Sequence, residues 1–284
     1  MRDLQNRTAL VTGASRGLGV YIARALAAEG MNLILVARSA EGLERVADEL
    51  RATGCKVQCI PTDLADREAV QVLAEQAEAE SDGVDVLVNN AGAEYAMPFD
   101  QIPVERLDEA VEVNLRAPMV LARLLLPKMI ARGRGHIVNI SAANGLFGTP
   151  YSEPLCATKH GMVGLSRGLR ATAKSEGYPV GCSAICSGFV TESGMYDDLS
   201  QEFGIRAPWT LGTSRPESVA RAVVRAVKRD LPEVFVNPIP LRPVAVLAAL
   251  LPRLTTWLVL RLGVAKVFGP VAKTRAAASS AGES

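Results

Sequence analysis

Short apolar runs alternate with longer amphipathic stretches from the start of the chain: Thr8–Val11 then Leu18–Glu29, Asn32–Ala37 then Glu41–Arg51, Lys56–Ile60 then Arg67–Glu80, and next Val84–Val88. The runs Leu33–Val36 and Val84–Val88 are apolar along their length rather than at every second position, Asp85 excepted, which is the pattern of parallel strands covered on both faces. In the stretch between two such runs, Val70, Leu73, Ala74 and Ala77 recur at three- and four-residue spacing, one apolar stripe along a helix. Strand then helix, repeated, predicts an α/β fold with a doubly wound parallel sheet of the Rossmann type, in one domain covering residues 1–237.

Beyond residue 237 the pattern changes. Pro238, Pro240, Pro243 and Pro252 punctuate a strongly apolar stretch, and Arg242, Arg253, Arg261, Lys266, Lys273 and Arg275 stand in it with no acid from Val234 to Gly282. A membrane span needs about 20 apolar residues, and Pro252 with Arg253 interrupts the run. Residues 238–275 are expected to form a basic, apolar helical extension. It either lies on a membrane surface, caps the pocket, or packs on the body or a second subunit. Residues 276–284, rich in Ala and Ser, are expected to be a disordered tail.

Composition narrows the partners. A chain of 284 residues with 49% hydrophobic and 21% charged side chains can bury a full core. Its formal net charge of +1 is far from the basicity that phosphate neutralisation demands, so nucleic acid is not an expected partner. Five cysteines are an odd number, and only His136 and His160 could complete a metal site, so neither a disulfide framework nor a metal centre is expected. Cys55 and Cys59, like Cys182 and Cys186, lie four apart in strand-like stretches and read as small core residues on one face of a sheet. The N-terminus has no apolar run behind a basic start, so a cytoplasmic location is expected, with membrane association through the extension as the alternative.

The first strand runs into Thr12-Gly13-Ala14-Ser15-Arg16-Gly17-Leu18-Gly19, and a helix follows. Glycines at such a turn let the backbone approach a pyrophosphate, whose charge then sits on free N–H groups at the positive end of the helix. Gly13, Ser15, Arg16, Gly17, Leu18 and Gly19 are therefore cofactor-binding candidates. At the end of the second strand, where an acid would bind the ribose 2′-hydroxyl, the chain has Ala37-Arg38. With no carboxylate to repel a 2′-phosphate, and Arg38 and Arg16 to pair with it, NADP(H) is favoured over NAD(H).

With these residues in place, the sequence resembles the short-chain dehydrogenase/reductase family over about residues 5–237. Asp63-Leu64 follows the third strand, Asn89-Asn90-Ala91-Gly92 the fourth; Asn114 lies in a helical region, the strand His136–Ile140 leads to Ser141, and Lys159 opens a helix. The resemblance implies an adenine contact at Asp63 and Leu64 and further cofactor contacts at Asn90, Ala91, Gly92 and Lys159. Gly188 and Val190, after the sixth strand, belong near the nicotinamide, although the family's usual Thr position there holds Glu192, with Thr191 beside it. It also implies a small-molecule substrate and homo-oligomers built from the helices after the fourth and fifth strands.

The catalytic end departs from the family. There a Tyr four residues before the Lys donates the proton, its phenol tuned by the nearby cation, and a Ser thirteen residues earlier holds the substrate oxygen. Those positions are Leu155 and Ala142. Asn114 and Lys159 remain, Ser141 stands one position from the empty Ser site, and Tyr151 is the candidate replacement acid, with Tyr95, Tyr196 and Glu94 also near the expected pocket. The favoured reading is an NADP-dependent oxidoreductase acting on an apolar alcohol or ketone with an atypical proton donor. The alternatives are an NADP-binding pseudoenzyme, serving as structural element, sensor or partner subunit, and a non-redox enzyme on the same fold.

Overall fold

The computed structural model describes residues 1–79 and 81–282, side chains of 279–282 excluded. Seven strands, β1 (Thr8–Thr12), β2 (Asn32–Ala37), β3 (Val57–Pro61), β4 (Val86–Asn89), β5 (Gly135–Ala142), β6 (Val180–Ser187) and β7 (Glu233–Val236), form one sheet in the order β3-β2-β1-β4-β5-β6-β7. All pairings are parallel. The chain moves outward in one direction through β2 and β3 and in the other from β4 onward, so a crevice opens at the carboxyl ends of β1 and β4.

Both faces of the sheet are covered. Ala9 and Val11 of β1, with Val86 and Val88 of β4, pack with α1 (Leu18–Ala28), α2 (Ala40–Arg51) and α8 (Pro216–Arg229). Leu10 and Leu87, which alternate with them, pack with α3 (Arg67–Ala79) and α5 (Ala117–Ala131). Two-sided burial is why these strands read as continuous apolar runs. Asp85, the polar interruption, precedes β4; it accepts the Thr8 N–H at 3.2 Å and pairs with Arg134 at 2.7 Å. Cys182 and Cys186 are buried in β6. Cys55 is a departure from the strand reading, since it precedes β3 and its thiol donates to Met31 O at 3.1 Å. Glu80, expected at the end of a helix, lies outside the described residues.

Two long helices frame the crevice. α4 (Val104–Val111) joins α5 through a π-helical turn, Glu112–Arg116, and α6 (Glu153–Ser175) follows β5. The loop after β6 leads to α7 (Met195–Phe203). The extension comprises α9 (Arg242–Leu250), α10 (Pro252–Arg261) and α11 (Val264–Gly282). The tail expected from residue 276 is helical as far as Gly282, because Ala276–Ala278 are strong helix formers that prolong α11; residues 283–284 lie outside the described part. Val267, Phe268 and Val271 of α11 pack with Leu199, Phe203 and Phe189, which seats this helix on α7 and the loop before it.

Candidate functional site

At the glycine turn, Gly13 has φ 67° and Gly17 has φ 65° with ψ −147°, conformations that L side chains rarely adopt. A Cβ on Gly19 would stand 2.1 Å from Gly13 O, so the turn closes only with glycine there. Gly17 caps α1 without any side-chain hydrogen bond, which leaves the amides of Leu18 and Gly19 for an anion, while the Val20 N–H donates to Gly17 O at 3.2 Å. Ser15 packs against Gly42 of α2, and its carbonyl accepts Arg45 at 3.4 Å. The loop after β6 crosses this turn: a Cβ on Gly17 would lie 3.6 Å from Gly194 Cα, one on Gly194 would lie 3.4 Å from Leu18 Cγ, and Arg16 pairs with Asp198 of α7 at 2.6 Å. Arg38 is exposed, 3.9 Å from Glu109.

The ends of β1 and β4 are tied together. Thr12 Oγ1 accepts the amides of Asn90 and Ala91 at 3.0 and 3.1 Å, and Asn90 Nδ2 donates to Thr12 O at 2.9 Å. Asp63 turns its carboxylate to the Ala65 N–H, and Leu64 is buried beside it. Gly188 donates to Val236 O at 3.0 Å, and Val190 forms a bridge with Ser214. Glu192, at the family's Thr position, is held at φ 65°, and its N–H donates to Asp197.

Lys159 and Asn114 converge on Gly92. A Cβ on Gly92 would stand 3.4 Å from Asn114 Oδ1 and 3.8 Å from Lys159 Nζ. Asn114 lies in the π-helical turn; its Oδ1 accepts Ala93 N at 2.7 Å, while Nδ2 donates to Ala93 O at 2.8 Å and reaches Thr158 Oγ1 at 3.3 Å. Lys159 Nζ donates to Ile140 O at 2.9 Å, and burial pushes its pKa down to about 8.

Four residues before Lys159, one turn away on α6, Leu155 is 8% exposed. Ser141 does not replace the missing hydroxyl. Successive side chains on a strand point to opposite faces, and Ser141 Oγ is turned beneath α6, donating to the Lys159 carbonyl at 3.0 Å.

The replacement candidates differ in their surroundings. Tyr95 is engaged elsewhere: burial and the neighbouring Glu109 push its phenol up to about 12, with Arg106 5.4 Å from the ring centroid. Tyr196 accepts the Ala207 N–H at 2.6 Å and packs on Phe189. Tyr151 is held at φ 62° with its ring against Gly269 of α11. Glu94 adjoins Ala93, the residue gripped by Asn114, and its side chain is only 5% exposed. Its Oε2 meets Arg275 of α11 at 3.3 Å, and Oε1 is buried without a hydrogen-bond partner. Burial raises the Glu94 pKa above the usual carboxylate value, opposed by Arg275 and the Ala96 amide.

Thr12, Thr158, Asp198 and Arg275 join this site without having been singled out from the sequence. Thr12 opens the glycine motif and was legible there, whereas Asp198 and Arg275 meet partners 182 and 181 residues away and carry no local signal.

Comparison with known proteins finds relatives over most of the chain. The family profile for short chain dehydrogenase matches residues 7–203. Ketoacyl reductase HetN of Nostoc sp. (strain PCC 7120) is 39% identical over 241 residues, 85% of this chain and 82% of that protein. A metagenomic short-chain oxidoreductase solved in complex with NADP is 30% identical with a TM-score of 0.71, covering 84% of this chain and 99% of the other. A short chain dehydrogenase/reductase from Burkholderia phymatum, in complex with NAD, is 25% identical with a TM-score of 0.77, covering 91% and 96%.

Proposed function

Because the chain belongs to the short chain dehydrogenase family, we propose that it is an NADP(H)-dependent oxidoreductase acting on an apolar alcohol or ketone, with Glu94 in the proton-donor role that Leu155 cannot fill. The observation that carries the reading is the meeting of Asn114 and Lys159 around Gly92, beside a glycine turn whose uncapped helix amides fit a pyrophosphate. The chemistry such a dinucleotide supplies when bound is hydride transfer to or from the substrate carbon. The amides from Ser15 to Gly19 would hold the pyrophosphate and Lys159 the ribose hydroxyls, with Asp63, Leu64, Asn90 and Ala91 toward the adenosine and Gly188 and Val190 toward the nicotinamide. Asn114, by gripping both backbone groups of Ala93, fixes the loop that carries Glu94.

In the reducing direction protonated Glu94 would give its proton to the carbonyl oxygen of the substrate, and the carboxylate would be reprotonated from water. Burial favours the neutral acid, and the unpartnered Oε1 is the atom with a proton to give. Tyr151 is the second position to change, and Tyr151→Phe is expected to leave most of the rate in place. The aromatic and aliphatic cluster of Phe189, Tyr196, Phe203 and Phe268 around Ala96 suits an apolar substrate. HetN, by its name, acts on ketoacyl compounds.

NADP(H) preference rests on Arg38 and Arg16, which now pair with Glu109 and Asp198 and would turn to the 2′-phosphate. Arg38→Asp is expected to weaken NADPH roughly tenfold or more, the worth of one charge-assisted hydrogen bond, and NADH hardly at all. Equal losses in fluorescence titrations with the two cofactors would remove the case for phosphate recognition.

Lys159 makes affinity pH-dependent. With its pKa near 8 it is charged below that value and neutral above, so NADPH affinity is expected to hold below pH of about 8 and fall as pH rises through it. A flat titration across that range would take Lys159 out of the cofactor site. The linkage to stability has the opposite sense: the native pKa lies below the ordinary 10.5, the unfolded chain binds more protons in between, and the burial penalty is relieved as pH rises from about 8 to 10.5.

Self-association belongs to the same reading. α4 and α5 leave Val104, Val111, Met119 and Leu124 exposed, and light scattering is expected to give a multiple of the 30.1 kDa chain mass. A monomer at micromolar concentration would count against it.

A further inference from the structure

The extension has two different sides. α11 turns Val267 and Val271 into the cluster with Leu199 and Phe189, which fixes the extension to the body beside Glu94. The helical hairpin before it does the reverse. No residue of α9 is buried, and Val246 and Leu250 are 56% and 72% exposed. On α10, Thr255 and Val259 face inward, while Leu254, Trp257 and Leu260 are 45%, 55% and 50% exposed.

The charge on this side is of one sign. α9 and α10 carry Arg242, Arg253 and Arg261, and no acid stands from Val234 to Gly282. Arg253 flanks Leu254, and the Arg261 guanidinium lies 5.5 Å from the centroid of the Trp257 ring, while the Arg242 guanidinium turns to the body, 5.6 Å from the centroid of the Phe235 ring of β7. Aromatic and aliphatic side chains rimmed by arginines are what the boundary between acyl chains and anionic headgroups accommodates. A second copy is the poorer occupant, because a two-fold contact would set this cationic face against itself. Nor does the hairpin have the form of a span. No single helix among the described residues is long and apolar enough to cross a membrane; α10 and α11 reach that length and composition only together, across a bend of 72°, and α11 is packed on protein.

We propose that the α9–α10 hairpin docks in the plane of an anionic lipid bilayer, with Leu250, Leu254 and Trp257 at the acyl boundary and Arg253 and Arg261 on lipid phosphates. Docking would place the α11 side of the site close to the bilayer. Resting on the function proposed above, this names the substrate as an alcohol or ketone dissolved in lipid.

The test is cosedimentation of the full chain with vesicles of phosphatidylcholine alone and of phosphatidylcholine mixed with phosphatidylserine. Strong binding to the mixed vesicles is expected, falling roughly tenfold or more in Arg253→Glu/Arg261→Glu and at high salt. Leu250→Ser/Trp257→Ser is expected to lose binding while keeping NADPH affinity, which shows that the body remains folded. Failure to bind the mixed vesicles overturns the proposal, as does binding that neither double substitution changes. An oligomer that Leu250→Ser/Trp257→Ser dissociates, without vesicle binding by the parent chain, assigns the face to a second copy and also overturns it. Binding is read without turnover, so it stands or falls apart from the redox reading. If binding holds and turnover is absent, the lipid surface is retained and the substrate assignment is lost.

Discussion

Replacing Glu94 by Gln is expected to slow NADPH-dependent ketone reduction by roughly 10²–10⁴, the usual worth of a general acid, while leaving NADPH affinity close to that of the parent. The amide keeps the shape of the side chain and its contact with Arg275, so what is lost is the titratable proton. Because the acid form does the work, the reductive rate of the parent should fall as pH rises through the elevated Glu94 pKa, and the substitution should abolish that limb. A merely structural Glu94 would change stability or KM without removing it. Ala142→Ser with Leu155→Tyr, added to Glu94→Gln, is expected to return much of the rate, since it restores a phenol one helical turn from Lys159. An unchanged rate in Glu94→Gln would exclude this donor. If the parent turned over nothing and Ala142→Ser/Leu155→Tyr alone produced activity, the protein would be a cofactor-binding chain without redox turnover.

The second large effect is expected at Gly17. Valine there must adopt φ 65° and ψ −147°, a conformation that costs an L residue of order 1–3 kcal/mol and a β-branched one more. Its Cβ would lie 3.6 Å from Gly194 Cα, so the methyl groups would be driven into the loop that closes over the turn. Either the loop opens or the amides at the start of α1 shift, and both outcomes spoil the pyrophosphate cradle. NADPH affinity should fall roughly 100-fold or more, the loss of one or two charge-assisted hydrogen bonds, with far-UV circular dichroism unchanged. Affinity equal to that of the parent would sink the placement of the cofactor.

The alternation of apolar strand and amphipathic helix carried most of the fold, because two-sided burial of parallel strands leaves a pattern within each segment. β1, β2 and the helices from Leu18 and Arg67 fall within one or two residues of where the periodicity puts them. The glycine turn was legible in part for the same reason: Gly19 answers to the Gly13 carbonyl and Gly13 and Gly17 to a positive φ, although the contacts that crowd Gly13 and Gly17 come from Ala91 and Gly194, far along the chain. The position of Leu155 one turn before Lys159 was legible as well, since four residues on a helix make one turn whatever surrounds it. Even Ser141 followed from strand alternation once β5 had its bounds, though only its bond to the Lys159 carbonyl shows where the hydroxyl went.

Packing decided the rest. Glu94 looks like any loop carboxylate until α11 covers it and brings Arg275 to 3.3 Å, and its raised pKa comes from that burial. Arg16 reads as a free cation until α7 supplies Asp198. The apolar residues of α9 and α10 read in sequence as an extension whose contact was open between a membrane surface, the pocket, the body and a second subunit, and folding leaves Val246, Leu250 and Trp257 exposed. In each case the deciding neighbour comes from a different part of the chain. Local spacing constrains side chains on one element, while burial and charge pairing between elements depend on how loops and the C-terminal helices come together over the sheet edge.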